Sequence, residues 1–529
     1  MNKSENLTIK EIFKLANESL QKNKLEEALN LYNQVLKINP NHEGTLSNLG
    51  VVYKKFENFE EAIDCYEKII EINPNNAIAH NNLGAVYYDL GKNQKAKNYY
   101  EKAIKIDPDY PNAHINLGNI FKDLKEHQKA KKCYERALEI NPNLIIALNN
   151  LGNIFLDLKN YQKAKDYYYK SIAINPNLAI SYFNLGNAFS ELQEYQKAID
   201  YFQKTIDIDS NNVDAYVNLG AQLQKLGEYQ KAIELYKTAI TLKADKVIAI
   251  YNLGVALFAT KQYKNASKQF ELINYKDSKN FLLACLYNLN DKSNFFKELD
   301  NQIKQGHVNA VIGSITSRSE IKYGIKRPNL FCGDPLKYVL KTNLITQYNF
   351  KNIFIGPIKN FLKEGIFSSR QQALLTNGQQ SAGNLFIKED YFLDQIKNII
   401  HLEVDKYQDH FKESKEGIIK SWPKSYSISA WIVSMKNGGK LAPHIHDYGW
   451  LSGSIYINVP PKLEIDSGNL VLCIDDEQES GIAENISQKK IIEVDTGSLC
   501  LFPSSLYHYT IPFESKEDRI VLAFDVLPD

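Results

Sequence analysis

The tripeptide Asn-Leu-Gly returns along this chain with its glycine at 50, 84, 118, 152, 186, 220 and 254, always 34 residues apart. A fixed period of this length means one small folding unit used repeatedly, which constrains the architecture more than any other feature of the sequence. Other positions keep the same spacing. A small Ala recurs at 28, 62, 96, 130, 164, 198, 232 and 266, followed by an aromatic as Tyr32, Tyr66, Tyr100, Tyr134, Tyr168, Phe202, Tyr236 and Phe270. Pro falls at 40, 74, 108, 142 and 176, then gives way to Ser210 and Ala244. Gly and Ala stand where two helices must touch, aromatics fill the space between them, and Pro closes each unit because it cannot continue a helix. The pattern predicts eight helix–turn–helix units over residues 9–275.

These positions match the tetratricopeptide repeat. Such a unit cannot bury its apolar face alone, so neighbours are expected to stack into an all-α superhelix with a concave inner surface. Asn48, Asn82, Asn116, Asn150, Asn184, Asn218 and Asn252 stand two places before the repeat glycines, on the first helix of each unit. Asn is a poor helix former, by roughly a few tenths of a kcal/mol relative to Ala, so seven copies need a reason. A carboxamide offers a donor and an acceptor together, which suits the backbone of an extended peptide. The row resembles the asparagine ladder in the repeat domain of O-linked N-acetylglucosamine transferases, and that resemblance implies a protein or peptide partner. The other reading is an inter-repeat hydrogen bond copied with each duplication. No glycosyltransferase region follows, so only the binding mode could transfer. Residues 276–303 read as a degenerate helical pair, and 276–325 as cap and linker, because a solenoid needs an atypical end unit.

Composition removes several function classes. A formal net charge of +1 gives no electrostatic case for nucleic acid or an acidic membrane surface. No apolar run approaches the roughly 20 residues that span a bilayer. The polar start, MNKSENLTIKEIFKLANESL, lacks the apolar core of a signal peptide. Cysteines at 65, 133, 285, 332, 473 and 500 form no CxxC pair, so neither a disulfide framework nor a Cys-zinc site is expected. The expected compartment is the cytoplasm.

From about residue 325 the 34-residue rhythm stops. Residues 390–412 keep helical spacing. Beyond 425 come short β-branched and aromatic runs: SYSISAWIVSM, GSIYINV, GNLVLCI, KKIIEVD, GSLCLF and RIVLAFDVL. Many short strands with turn signals and no intervening helices indicate a sandwich or barrel such as a jelly roll. The expected fold class is therefore multidomain: an all-α superhelix followed, over 326–529, by a double-stranded β-helix (jelly-roll) domain with flanking helices.

His444 and His446, in HIHDYGWLSG, are expected at the mouth of a strand whose period of two points both to one face. His508, in LFPSSLYHYTIPF, is expected at the exit of another strand, and Arg519 opens the run RIVLAFDV. Three neutral imidazoles can hold a divalent metal. Asp447 is the alternate for His446 if a bulge turns it to the same face. Competing readings are imidazoles without metal, and zinc, which three histidines also bind. The lesser reading of Arg519 is an ordinary ion-paired strand residue. Ser454, Tyr456 and Asn458 form a polar row that faces either solvent or the barrel interior, where Tyr456 would reach a bound co-substrate. Trp431 and Trp450 read as core or rim aromatics, and His401 and His410 as helix residues facing solvent or core polar groups.

The histidine and arginine set resembles the iron(II)- and 2-oxoglutarate-dependent oxygenases, and more closely an oxygenase family often fused to tetratricopeptide repeats. The resemblance covers about residues 330–529 through ordered blocks: CGDPLKYV (332–339), TNGQQSAGNLF (376–386), HIHDYGWLSGSIYINVP (444–460), SGNLVL (467–472), and GSLCLFPSSLYHYTIPF with DRIVLAF (497–524). It implies Fe(II) on His444, His446 and His508, and 2-oxoglutarate with its far carboxylate on Arg519. It also implies O2 as co-substrate, ascorbate as an accessory reductant, and hydroxylation of a C–H bond. The general motif of that superfamily is HxD…H; here His446 takes the carboxylate's place, which puts metal choice and product in question. Two other function classes stand beside the enzyme: an interaction scaffold whose oxygenase fold has lost turnover, and a small-molecule oxygenase whose repeats serve assembly.

Overall fold

The computed structural model describes residues 8–364, 369–370, 374–381, 383–387, 390–475 and 488–529. Residues 1–7 of the polar start, and Ala382 within the block 376–386, lie outside the described residues. The chain divides into two compact units, Met1–Ala256 and Leu257–Asp529. Among the described residues, no helix is long and apolar enough to cross a membrane.

The first unit is a tetratricopeptide superhelix of paired helices, from Ile9–Gln21 with Leu25–Ile38 through to Val213–Lys225 with Tyr229–Leu242. The repeat glycines from Gly50 to Gly220 each lie under the aromatic ring of their own second helix. A Cβ at Gly50, Gly84, Gly118, Gly152, Gly186 or Gly220 would come within 2.4–2.7 Å of Tyr66, Tyr100, Tyr134, Tyr168, Phe202 or Tyr236, closer than carbon atoms pack. Only glycine lets the two helices approach this far. The rings up to Phe202 and the small Ala residues beside them are buried in one continuous apolar core reaching from Ala16 to Leu219, and Tyr236 and Ala232 are buried as well.

The turn between repeats has its own local chemistry. Asn39, Asn73, Asp107, Asn141 and Asn175 each precede a proline, which biases them to extended backbone. Each also accepts a hydrogen bond on its side-chain oxygen from the backbone N–H two residues on, at 3.0–3.2 Å. This is the Asx turn that short polar side chains favour. Asp209 makes the same bond at 3.1 Å although Ser210 has replaced the proline, so the turn survives without it.

In the second unit, helices Ser278–Asn288, Lys292–Lys304 and Ala310–Tyr323 precede a β-rich region. Its strands are β1 (Leu340–Asn343), β2 (Ser369–Arg370), β3 (Leu375–Ser381), β4 (Tyr426–Leu441), β5 (Leu451–Asn458), β6 (Leu470–Cys473), β7 (Lys489–Ile492), β8 (Ser498–Pro503), β9 (Tyr507–Thr510) and β10 (Arg519–Pro528). They form a seven-stranded sheet, ordered β1-β8-β5-β10-β4-β3-β2, and a three-stranded sheet, β7-β6-β9. Every pairing recorded is antiparallel. This is the expected jelly-roll class.

Alternation along β5 and β10 separates two cores. Leu451, Ile455 and Ile457, with Ile520, Leu522, Phe524 and Val526, pack in one cluster with Leu393, Ile396, Ile400 and Val404 of the helix Tyr391–His410. Tyr456 and Val521 point the other way, into a cluster with Leu470 and Leu472 of β6 and Phe502 of β8. Gly453 belongs to the first face, where a Cβ would come within 2.1 Å of the Phe524 ring. The second face is the interior of the β-helix, so Ser454 and Tyr456 face inward, whereas Asn458, the last residue of β5, donates to the Asp518 carbonyl and is not part of the cavity lining.

Candidate functional site

His444 and His446 do not lie on a regular strand. β4 ends at Leu441, and both histidines sit in the segment leading to β5. His508 lies inside β9 rather than at a strand exit. A two-way backbone bridge joins the segments: His444 N–H donates to His508 O at 3.2 Å, and His508 N–H to His444 O at 2.9 Å. This pairing, not strand alternation, brings the three rings together. One nitrogen of each lies within 4.8 Å of the others.

Tautomers follow from the neighbours. His444 Nδ1–H donates to the Ala442 carbonyl at 2.9 Å, and His446 Nδ1–H to Asp525 Oδ1 at 2.6 Å. In the neutral form of each ring the Nε2 atom then carries the lone pair, and the two Nε2 atoms stand 3.3 Å apart. Two nitrogens each about 2.1 Å from a shared ion, at right or tetrahedral angles, lie about 3.0–3.4 Å apart, so the spacing fits a chelating pair. His508 Nδ1 is buried without a hydrogen-bond partner. Burial, then the neighbouring His446, pushes His444 down to about 4. Burial, then His444 and His446, holds His508 well below the usual imidazole range. Neutral rings with free lone pairs are the form a metal requires. Asp447 is exposed and is not part of this cluster.

Sequence reasoning missed the residues behind the rings. Asp525 is buried on β10 and accepts from both His446 and the Ser452 hydroxyl, the latter at 2.7 Å. Ser452 in turn lies 2.8 Å from the Ser504 hydroxyl. A carboxylate holding the far nitrogen of a ligand histidine fixes its tautomer and raises its basicity. The available signal was the period of two along β10, which places Asp525 on the same face as Arg519.

The rings open into a cavity of about 570 Å³ inside the β-helix. Trp431, Val433 and Met435 of β4, Ser454 and Tyr456 of β5, Thr510 of β9 and Arg519 of β10 line it. Arg519 is 1% exposed, makes no ion pair among the described residues, and keeps a buried Nε without a hydrogen-bond partner. Its guanidinium lies 5.0 Å from the Tyr456 ring centroid. Burial raises the Tyr456 phenol well above its usual range, so it stays protonated and able to donate. Trp431 meets His446 edge-on at 5.4 Å between centroids. Trp450 is a core residue, its indole N–H donating to Ile418 O. His401 Nδ1 lies 3.3 Å from the Tyr426 hydroxyl, and His410 is exposed.

In the first unit the asparagine row is tied into its own scaffold. Asn48, Asn150 and Asn218 donate to Asn17, Asn119 and Asn187 of the preceding repeat at 2.8–3.0 Å. Asn116 and Asn184 donate to Asn81 and Asn149, at 2.9 and 3.5 Å. Asn82 accepts from Asn81, and Asn252 is half-buried on the helix Val247–Ala259. In each of these bonds to a preceding repeat the NH2 group is the donor, so the side-chain oxygens of the row keep lone pairs.

Residues 429–525 match the family described as "Putative 2OG-Fe(II) oxygenase". Tetratricopeptide repeat families match 43–109, 75–143, 109–176 and 144–211, and also 16–55, 222–261 and 201–234. Among solved structures, the chain is similar to one in the Cut9–Hcn1 hetero-tetramer of the APC/C: 18% identity, 52% of this chain and 55% of that one, TM-score 0.42. It is also similar to YrrB, described as a TPR protein with an unusual peptide-binding site (23% identity, 37% and 97% covered, TM-score 0.30). A third is a tetratricopeptide repeat protein from Parabacteroides merdae (19% identity, 47% and 98% covered, TM-score 0.39). The chain thus spans 55% of the length of the first of these. No curated protein matches it.

Proposed function

This chain joins tetratricopeptide repeats to a domain of the 2OG-Fe(II) oxygenase family, and from that premise we propose an iron(II)- and 2-oxoglutarate-dependent hydroxylase whose repeats recruit a protein or peptide. One observation carries the reading: a buried guanidinium that makes no ion pair among the described residues lines the same cavity as three convergent imidazoles. His444, His446 and His508 would hold the metal. Arg519 would take the far carboxylate of the co-substrate through its planar pair of donors. Bound there, iron(II) and 2-oxoglutarate supply oxidative decarboxylation coupled to hydroxylation of a C–H bond by O2.

The chain's own residues orient and exclude. Asp525 and the Ala442 carbonyl hold the Nδ1 protons of two rings, which keeps both Nε2 atoms aimed at one point. Val433, Met435, Phe502 and Val521 wall the cavity with apolar surface, so water is excluded and the Arg519 charge is felt more strongly. Tyr456 keeps its proton for donation to the co-substrate. In the repeats, Asn48, Asn82, Asn116, Asn150, Asn184, Asn218 and Asn252 would accept from the backbone N–H groups of an extended partner.

Three histidines also suit zinc. Arg519 favours the oxygenase, because zinc hydration chemistry has no use for a buried cation beside the metal. Purified protein given iron(II), 2-oxoglutarate, ascorbate and O2 is expected to release succinate, and His508→Ala to abolish that release. Absence of succinate from the wild-type protein, with no iron bound, would contradict the reading and leave an interaction scaffold.

A further inference from the structure

The first unit carries a column of carboxylates at an electrostatically unfavourable position. Asp89, Asp123, Asp157 and Glu191 are each the last residue of a first helix: Ala77–Asp89, Pro111–Asp123, Ile145–Asp157 and Ala179–Glu191. An anion there meets the negative end of the helix dipole, where cations are favoured. Asp89 is paired with Lys54 at 3.0 Å, and Asp123 accepts the Tyr88 hydroxyl. Asp157 has only the His127 ring, 3.8 Å away. Glu191 makes no ion pair among the described residues.

Asp157 and Glu191 line one open groove of about 910 Å³, together with Asn187, Asn218 and Gln222. Gln222 supplies an independent observation. It is 4% exposed, and its Nε2 donates to the Asn218 carbonyl at 3.5 Å, which fixes the orientation of the amide. Its Oε1 is buried and has no hydrogen-bond partner among the described residues. Buried acceptors are rarely left unmatched, so an orphan lining a groove points to a donor that arrives with a ligand. Asn187 Oδ1 also lies there, accepting only one bond, from Asn218 at 2.9 Å. Exposed Lys159 is the single cation among the lining residues, against two carboxylates. The groove is rich in acceptors and net negative.

We infer that this groove holds a basic side chain, Lys or Arg, of an extended peptide. Asp157 and Glu191 bind its charge, and Gln222 Oε1 accepts one of its N–H groups. A guanidinium or ammonium brings several donors on one positive group, which is what the lining lacks. This assignment rests on the peptide-recruitment reading and narrows it to a basic partner.

Fluorescence anisotropy on the full-length protein tests it with three short fluorescein-labelled peptides, identical except that alternate residues are Arg, Gln or Glu. The Arg peptide is expected to bind roughly ten-fold or more tighter than the Gln peptide, with a preference that shrinks as salt is added. The double variant Asp157→Asn/Glu191→Gln should remove most of that preference. The control Glu60→Gln/Glu61→Gln removes equal charge from an exposed helix start and should leave it unchanged. Gln222→Leu should weaken Arg-peptide binding without altering the salt dependence. Equal binding of the Arg and Gln peptides, with both lost on replacing the ladder asparagines, would overturn the basic-side-chain assignment while sparing recruitment. Equal loss in the control variant would overturn it as non-specific attraction. No binding of any peptide would overturn both.

Discussion

Asp525 gives His446 what the HIH segment cannot supply, a buried carboxylate on its Nδ1 proton at 2.6 Å. If the three imidazoles stand in place of the usual two and a carboxylate, Asp525 supplies an anionic group hydrogen-bonded to that candidate set. Asp525→Asn keeps the shape and removes the charge, and is expected to weaken metal binding about 10–100-fold. Competition for cobalt(II) against a chromogenic chelator would measure it, and an unchanged affinity would show that Asp525 serves packing alone. His444, His446, His508 and Arg519 were legible as candidates from their residue types and motif spacing, not from the strand context assigned to the histidine pair. Asp525 was not, because its partner is 79 residues away and nothing in DVLPD marks a hydrogen bond to a ring. The polar row of β5 was ambiguous for a related reason. Period two groups Ser454, Tyr456 and Asn458 on one face, but only the second sheet decides that Ser454 and Tyr456 face the interior and that Asn458, at the strand end, does not line it.

At the scale of elements, the repeats were readable almost position by position because one local packing problem is solved identically each time. Gly152 illustrates it: a Cβ there would meet Tyr168 Cε1 at 2.4 Å. Gly152→Ala is expected to destabilise by about 1–3 kcal/mol through overpacking, although alanine is the better helix former. A lowered thermal midpoint of the repeat unit would show it, and an unchanged or raised midpoint would mean the helices separate freely at that contact. Strands β4, β5, β6, β7, β8 and β10 were visible as β-branched runs. β3 was not, since LTNGQQS is polar with only its last residue buried, and only pairing with β4 makes it a strand. The histidine pair was misplaced onto a strand because alternation is a fair guess for HxH, whereas a backbone bridge to β9 places it.

For the whole molecule, the question is whether the repeats bring the substrate. Replacing Asn48, Asn150 and Asn218 with Ala removes bonds to Asn17, Asn119 and Asn187, at a cost of about 0.5–1.5 kcal/mol each. If recruitment is their task, the triple variant should retain substrate-independent succinate release and lose hydroxylation of a polypeptide, followed by mass spectrometry. Retained polypeptide hydroxylation would assign these residues to inter-repeat bonding alone. The central claim is narrower: three imidazoles and one buried guanidinium together bind a metal-chelating diacid. Anaerobic calorimetry of 2-oxoglutarate into iron(II)-loaded protein tests it most directly. The account predicts one equivalent bound per chain, roughly 30-fold or more weaker binding in Arg519→Met, and none in His508→Ala. Equal affinity in wild-type and Arg519→Met protein would contradict it.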